Sequence, residues 1–453
     1  MPKKKRFLVV TADHSGMPLA LRLQDEGHPV AVLLVRPELA DGKRREPKDS
    51  QEAKRFRERT KYLKKNGSGL VRHLWIDEVW EDLLRLDKES TYIIFDQIYG
   101  WQFGEALRKA GFKVLGGTKF GYELETNRDA TLQLFKRLGV DVPLMKKFGP
   151  NSVQAGIEFL RQVKDEMLFV LKSDNPQVVT QVAQDTNEEL IQKLQTEQEE
   201  INKDGFILQQ KVEGVELAVE TWYCNGQPVL SNVDIEAKRK YNESSEVQVG
   251  CSFDLLWIIP TDHELATRVN GPLDKLAVKV KTGLLDLSVI YDHRAQKFWA
   301  LEPCGSRFAY NAFYTMLTLL KVPVGEFLAA YMDGEFTNDI GKKLFTGEYG
   351  VSLRVFNDEK TPDQPIDFPE ELSPYVWLWD AYLKNGKLYT TGDESVGIIT
   401  AKGENPEAAF AKLREYYHKF YMPTKWARDD YDDEDVPTLP LARYHELKRL
   451  GVI

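Results

Sequence analysis

Apolar positions at the start of the chain come in short runs separated by polar turns. Residues 7–11 (FLVVT) are β-branched and apolar, the turn Asp13-His14-Ser15-Gly16 follows, and residues 17–26 carry apolar positions at helical spacing before a second apolar run at 30–35. This strand–helix–strand start, with further strands at 70–76 and 92–95, predicts a parallel sheet covered by helices. The turn lacks a full Gly-x-Gly-x-x-Gly pattern, so no dinucleotide site follows from it, although such a fold favours a pocket at its strand ends. Residues 113–117 add a strand and a Gly-rich turn, and 127–138 read as an amphipathic helix ending at Gly139.

From residue 167 the pattern changes to a small αβ unit, with a strand at 169–173, a polar helix at 188–201 and a strand at 206–210. Residues 215–223 and 226–233 predict antiparallel strands about Cys224-Asn225-Gly226, and 283–303 a second hairpin turning at 292–296. Beyond residue 338, strands at 375–383, 387–389 and 395–401 precede a helix at 406–417, and the acidic run 429–435 is expected to be solvated.

Composition narrows the class. At 453 residues the chain is too long for one core, and length alone suggests roughly two to four domains. No stretch approaches the roughly 18 apolar residues of a membrane span, so no membrane partner is expected. The lysines of residues 1–6 read as a solvated lead-in to the first strand. Cys224, Cys251 and Cys304 lie far apart, which indicates neither a disulfide framework nor a zinc site and makes a reducing cytoplasm the expected setting. A formal charge of -9 argues against general nucleic-acid binding. Residues 41–65 are rich in charge and poor in apolar side chains, as in a solvated helix or mobile loop, with a phosphate-attracting rim as the sharper alternative.

Four features carry candidate chemistry. Lys172 ends the strand FVLK, where an ammonium could meet phosphate oxygens. The segment FILQQKVEGVE places a strand, a polar connection and Glu216 in the order of a linker whose backbone could recognise a purine edge. DIEAKRK, residues 234–240, is either a solvated face or a polar substrate wall. In LEPCGSRF, Glu302 follows an apolar strand and Arg307 lies near the same end. A hairpin closing symmetrically about Arg294 puts Asp286 opposite Glu302, and two such carboxylates suit magnesium, which prefers oxygen ligands.

With Lys172 before them and Glu302 after them, these features stand in the order of an ATP-grasp module. The segment VLGGTKFGYELETNRDATLQLFKRLGVDVP resembles the strand, glycine turn and helix of the phosphoribosylamine–glycine ligases (glycinamide ribonucleotide synthetases), and DAYLKNGKLYTTGDESVGIITAKG resembles their final domain. The resemblance covers nearly all of residues 6–430. It implies an α/β and α+β multidomain chain: an N-terminal parallel α/β (pre-ATP-grasp) domain over 1–117, an ATP-grasp module over 118–337 with a small lid subdomain at about 145–212, and a C-terminal mixed α/β domain over 338–453.

Position by position, the resemblance implies ATP contacts from Arg128 and Lys172 and adenine reading by Gln209, Gln210, Lys211 and Val212. Glu216 is implied to hold the ribose, Glu236, Lys238, Arg239 and Gly250 to line the substrate side, and Glu302, with Asp286, to bind Mg2+. Arg307 and Lys238 are the implied catalytic cations. The reaction implied is activation of a carboxylate by ATP to an acyl phosphate, captured by an amine, with a small-molecule acid and amine as partners. Departures from the family pattern gather where substrates would touch. The loop after Lys172 has no glycine, residues 246–252 keep one, Cys304 stands where the family has Asn, and the N-terminal Gly-Gly-Arg-Glu-His turn has become Asp13-His14-Ser15-Gly16. Three readings stay open: a ligase with other substrates, the phosphoribosylamine–glycine ligase of purine biosynthesis itself, and a catalytically silent nucleotide-binding scaffold.

Overall fold

A computed structural model describes residues 4–41, 45–47, 49–164, 166–173, 178–242, 247–305 and 307–453, without the side chains of residues 128 and 129. The chain divides into two compact units, one of residues 1–126, 217–287 and 303–453, the other of residues 127–216 and 288–302.

In chain order the first unit begins with β1 (Arg6–Thr11), α1 (Met17–Asp25), β2 (Val30–Leu34), α2 (Ser50–Lys65), β3 (His73–Trp75), α3 (Trp80–Leu84), β4 (Thr91–Phe95), α4 (Trp101–Lys109), β5 (Lys113–Leu115) and α5 (Lys119–Thr126). The strands form a parallel sheet in the order β3-β2-β1-β4-β5. Its apolar runs are continuous because both faces are covered: Phe7 and Val9 enter one core cluster, while Leu8 and Val10 enter another. The strand order reverses between β1 and β4, and there Gly16 comes so close that a Cβ would lie 2.6 Å from Val9 and 2.8 Å from Asp96.

The second unit opens with α6 (Arg128–Leu138), β6 (Met145–Phe148), α7 (Val153–Gln162), β7 (Phe169–Ser173), β8 (Gln181–Val182), α8 (Glu188–Thr196), α9 (Gln198–Asp204) and β9 (Phe206–Gln210). Its four-stranded sheet has the order β6-β9-β7-β8. Phe169, Leu171 and Leu208 on one face pack with Ile157, Leu190 and Leu194 of the helices. The helix expected over 188–201 is broken at Glu197, where α8 ends and α9 begins.

The remainder consists of β10 (Val215–Cys224), β11 (Gln227–Arg239), β12 (Gln248–Ile259), α10 (Glu264–Val269), α11 (Ala277–Val280), β13 (Gly283–Asp292), β14 (Lys297–Gly305), α12 (Asn311–Thr318), α13 (Val324–Met332), α14 (Gly341–Leu344) and β15 (Tyr349–Asn357). After these come β16 (Pro365–Ile366), β17 (Val376–Leu378), β18 (Tyr382–Lys384), β19 (Lys387–Tyr389), β20 (Ser395–Gly403), α15 (Pro406–Lys419), β21 (Lys425–Trp426) and α16 (Pro440–Arg449). A long sheet runs β14-β13-β10-β11-β12-β15-β20-β17.

Four expectations change. The strand expected at 70–76 shrinks to β3. The strand expected to end at residue 233 extends, as β11, to Arg239, so residues 234–239 of the charged segment are strand. The strand expected over 375–383 splits into β17 and β18, in different sheets, because Asp380 between them turns inward to accept backbone N–H groups of residues 391–393. The acidic run is not simply solvated: Tyr431 is buried, Asp430 chelates the buried Arg428, and Asp432 pairs with Arg414.

Candidate functional site

In the second unit, the helices cover one face of the small sheet and the alternation of β7 and β9 fixes what lies on the other. Val170 stands opposite Gln209 and Lys172 opposite Ile207, so Lys172 and Gln209 project from the same face, opposite the one that Ile157, Leu190 and Leu194 cover. Lys172 Nζ lies 3.8 Å from Glu302 Oε1, with both side chains partly accessible. Gln209 is buried, and its amide nitrogen has no hydrogen-bond partner among the described residues. The chain then leaves β9 through Lys211 and Val212. Gln210 donates its backbone N–H to the Leu144 carbonyl and Lys211 its own to that of Leu168, while the Lys211 ammonium holds the Ala183 carbonyl at 3.0 Å. Glu216 follows at the start of β10.

In the first unit, a layer of acids lies between the long sheet and α12. Glu220 pairs with Asn232 and Glu236 with Asp254 across neighbouring strands, so Glu220, Asp234, Glu236 and Asp254 share one face. Thr315 of α12 donates to Asp254 at 3.0 Å, Asn311 to Ser352 at 2.9 Å, and the Tyr310 hydroxyl to Glu220. Burial, opposed in part by these donors, pushes the carboxyls of Glu220 and Asp254 up to about 7. Burial together with neighbouring carboxylates raises Asp234 and Asp286 well above the usual carboxylate range. Oδ1 of Asp234 and Oδ1 of Asp286 are buried and accept no hydrogen bond from the described residues. The layer is rich in oxygen donors, and its acids outnumber its cations.

Arg307 stands at the end of this layer, 3.1 Å from Glu125 of α5. The same carboxylate receives the Cys304 thiol and the Gly305 N–H, each at 3.4 Å. Burial and the Glu125 charge push the Cys304 thiol up. β4 braces this corner: the Asp96 carbonyl accepts the Phe308 N–H at 2.9 Å and the Gln97 amide donates to Ala309 at 3.1 Å.

At the end of β1, Asp13 accepts the N–H and hydroxyl of Ser15, and Asp96 accepts the Gly16 N–H at 2.7 Å. His14, at φ +70°, is buried and held neutral, its pKa lowered by burial to about 4, with Nε2 donating to the Leu63 carbonyl at 2.9 Å. At the C-terminal turn, the N–H groups of Thr391, Gly392 and Asp393 converge on Asp380 at 2.9–3.2 Å, and Tyr62 donates to the same carboxylate. Converging backbone donors of this kind form an anion cradle, and here the chain's own carboxylate fills it.

Of the residues expected to act, the second unit brings together Lys172 and Glu302 and arrays Gln209, Gln210, Lys211 and Val212 along one segment. The first unit groups Asp286 with Glu236 and Lys238, whose ammonium is 4.0 Å from Glu236. Arg239 is engaged through its carbonyl, which accepts from Ser252 and Arg428. Gly250, at φ +75°, has open space around it. The Arg128 side chain, residues 174–177 of the loop after Lys172, and Glu246 lie outside the described residues. Sequence reasoning missed Glu125, Glu220, Asp254 and Tyr310. The available signal was a charged residue set inside an otherwise apolar strand, as in VELAVETWYC and SFDLLWII.

No protein-family model matches the sequence, and no curated protein matches it. In structure the chain is similar to phosphoribosylamine–glycine ligase from Thermotoga maritima, with a TM-score of 0.65 at 16% identity, over 94% of this chain and 99% of that one. It is similar also to the biotin carboxylase domain of the Hydrogenobacter thermophilus 2-oxoglutarate carboxylase, in complex with MgADP, ADP and bicarbonate (TM-score 0.63, 10% identity, 98% of each chain). A third likeness is to L-amino acid ligase from Bacillus licheniformis (TM-score 0.54, 12% identity, 93% of this chain and 99% of that one). The fold is that of the ATP-grasp ligases, with mixed α/β architecture.

Proposed function

We propose that the chain is an ATP-dependent carboxylate–amine ligase that forms an amide through an acyl phosphate, acting on substrates other than glycine and phosphoribosylamine. The observation that carries this reading is the pairing of Lys172 with Glu302 on the side of a sheet that also presents Gln209. Lys172 and Arg128 would meet ATP phosphates, the segment from Gln209 to Val212 would read adenine, and Glu216 would hold the ribose. Glu302 and Asp286 are the carboxylates that would hold Mg2+, an ion that prefers oxygen ligands and would offset phosphate charge.

The substrate carboxylate attacks the γ-phosphorus, the bond to ADP breaks, and the acyl phosphate forms. The amine then attacks the acyl carbon, phosphate leaves and the amine gives up a proton. Like charges meet in the first step, so fixed cations lower its barrier most, and Arg307 and Lys238 take that part. Glu236, Arg239 and Gly250 would line the substrate side. Two features support an acceptor without a phosphate: the turn after β1 carries Asp13, and the Thr391–Asp393 cradle is filled by Asp380. We read residues 1–117, 118–337 and 338–453 as the domains of this enzyme, and the cytoplasm as its setting; no helix among the described residues is long and apolar enough to cross a membrane.

ADP release measured over a panel of amino acids and amines, glycine with phosphoribosylamine among them, tests the reading. Turnover with a pair other than that one is expected. Turnover only with glycine and phosphoribosylamine would replace the substrate assignment, and no turnover with any pair would remove the ligase.

A further inference from the structure

The proposed reaction makes no use of the charge-rich stretch at residues 41–65. α2 lies within it and carries seven Lys and Arg residues against two Glu. One side of the helix docks its polar groups onto the C-terminal part of the same unit: Arg59 lies 3.8 Å from Asp393, Tyr62 bonds Asp380 at 3.1 Å, and Lys65 bonds Asp363 at 2.8 Å. Another side presents Arg57, Lys61 and Lys64, at spacings of i, i+4 and i+7, to a hollow of about 560 Å³ whose wall also includes Phe56 and Pro47. None of these three forms an ion pair with a described residue. Their neighbours differ: Lys54 faces Glu58 at 3.8 Å, and Arg45, on the same hollow, is tied to Glu52 and Asp41. Among the described residues the hollow's acids are Glu38 and Glu46, against four cations.

We propose that this face of α2 is an anion site that takes a small molecule bearing two or three linked phosphates. Like charges three and four residues apart on a helix repel, so the ligand-free face holds a repulsion that an anion relieves. Seven residues of helix rise about 10 Å, too far for a single phosphate to reach all three cations and about the reach of a short phosphate chain. Phe56 and Pro47 give the remainder of the ligand an apolar surface to lie on. The cations are exposed, so binding weakens as ionic strength rises.

The test is calorimetric titration of inorganic tripolyphosphate, without magnesium, into the full chain. Three proteins are compared: wild type, the triple variant Arg57→Glu, Lys61→Glu, Lys64→Glu, and Lys172→Ala. Saturable binding is expected in wild type and Lys172→Ala, with at least about a tenfold loss in the triple variant and at least about a tenfold weaker response to orthophosphate. The triple variant should keep the wild-type circular dichroism, and its ATP turnover should be unchanged. Equal affinity in the triple variant, loss of binding in Lys172→Ala, or no saturation by about 1 mM would each overturn the site. So would tighter binding of a single-stranded oligonucleotide than of tripolyphosphate, which would make the face one for nucleic acid.

Discussion

The Lys172 face of the small sheet and the acid layer against α12 both concentrate charge, but they hold it in opposite ways. On the first, Lys172 and Glu302 neutralise each other where water still reaches both. Such a pair costs the fold little and is available to exchange partners when a charged ligand arrives. In the second, Glu220, Asp234 and Asp254 are buried and Asp286 partly buried, with few cations beside them, and their raised pKa values report the cost. The contrast teaches that an exposed charge pair costs the fold little and stays open to a charged ligand, whereas carboxyls withdrawn from water are expensive and hold their protons longer.

The sharpest way to break this contrast is to remove the cheap pair. Lys172→Ala and Glu302→Ala are each expected to lower ATP turnover by about 10²–10³-fold, the size of effect seen when one fixed stabilising group leaves a transition state. Stability should move by under about 1 kcal/mol, because the pair is partly exposed. ADP release together with urea midpoints measures both. Full turnover in either variant would remove that residue from the site.

Asp380 tests a buried acid of another kind. It too is buried with a raised pKa, chiefly from desolvation, but three backbone donors and Tyr62 hold it. Asp380→Ala strands those donors and is expected to destabilise the chain by about 3–5 kcal/mol. Millimolar phosphate should restore part of the loss by entering the vacated cradle. A variant as stable as wild type would mean that the cradle does not depend on the carboxylate.

Glu220→Gln tests the expensive side. The folded-state pKa of about 7 lies above the unfolded reference of 4.5, so the folded chain keeps its proton longer. Stability is therefore undiminished below about pH 4.5, falls as the pH rises to about 7, and stays lowered above it, by about 3 kcal/mol in all. Glutamine cannot ionise, so the variant should match wild type near pH 4 and exceed it by up to that amount near pH 8. Magnesium should stabilise wild type more at pH 8 than at pH 5. His14 runs the other way, with its pKa lowered from 6.5 to about 4, so its contribution is lost as the pH falls through that window. Comparing wild type with the variant cancels it.

Legibility in the sequence follows the same division. β1, β2 and β4 are readable because a parallel strand covered on both faces is a continuous apolar run, and the positions of Lys172 and Glu302 on strands because each follows such a run. The acid layer was not readable, since its partners are remote: Thr315 reaches Asp254 across 61 residues and Tyr310 reaches Glu220 across 90. A lone carboxylate in an alternating strand looks like a solvent-facing position until a helix lands on it. The split between β17 and β18 was hidden for the same reason, because Asp380 finds its donors 11–13 residues further on.

The smallest expected effect is that of Tyr310→Phe. Its hydroxyl donates to Glu220, which stabilises the ionised carboxylate more than the protonated one and so holds the Glu220 pKa below the value burial alone would give. Without the hydroxyl the pKa rises further, and ionising the carboxyl in the folded chain costs more. The loss should therefore depend on pH: about 1 kcal/mol near pH 5, where a neutral hydrogen bond goes, and about 2 kcal/mol near pH 8, where a bond to a charged group goes. Urea midpoints at the two pH values measure the difference. In the Glu220→Gln background the extra loss at pH 8 should vanish, because there is no charge left for the hydroxyl to hold. If it persists, Tyr310 acts on some other acid of the layer, and the assignment of the pH 8 penalty to Glu220 fails with it.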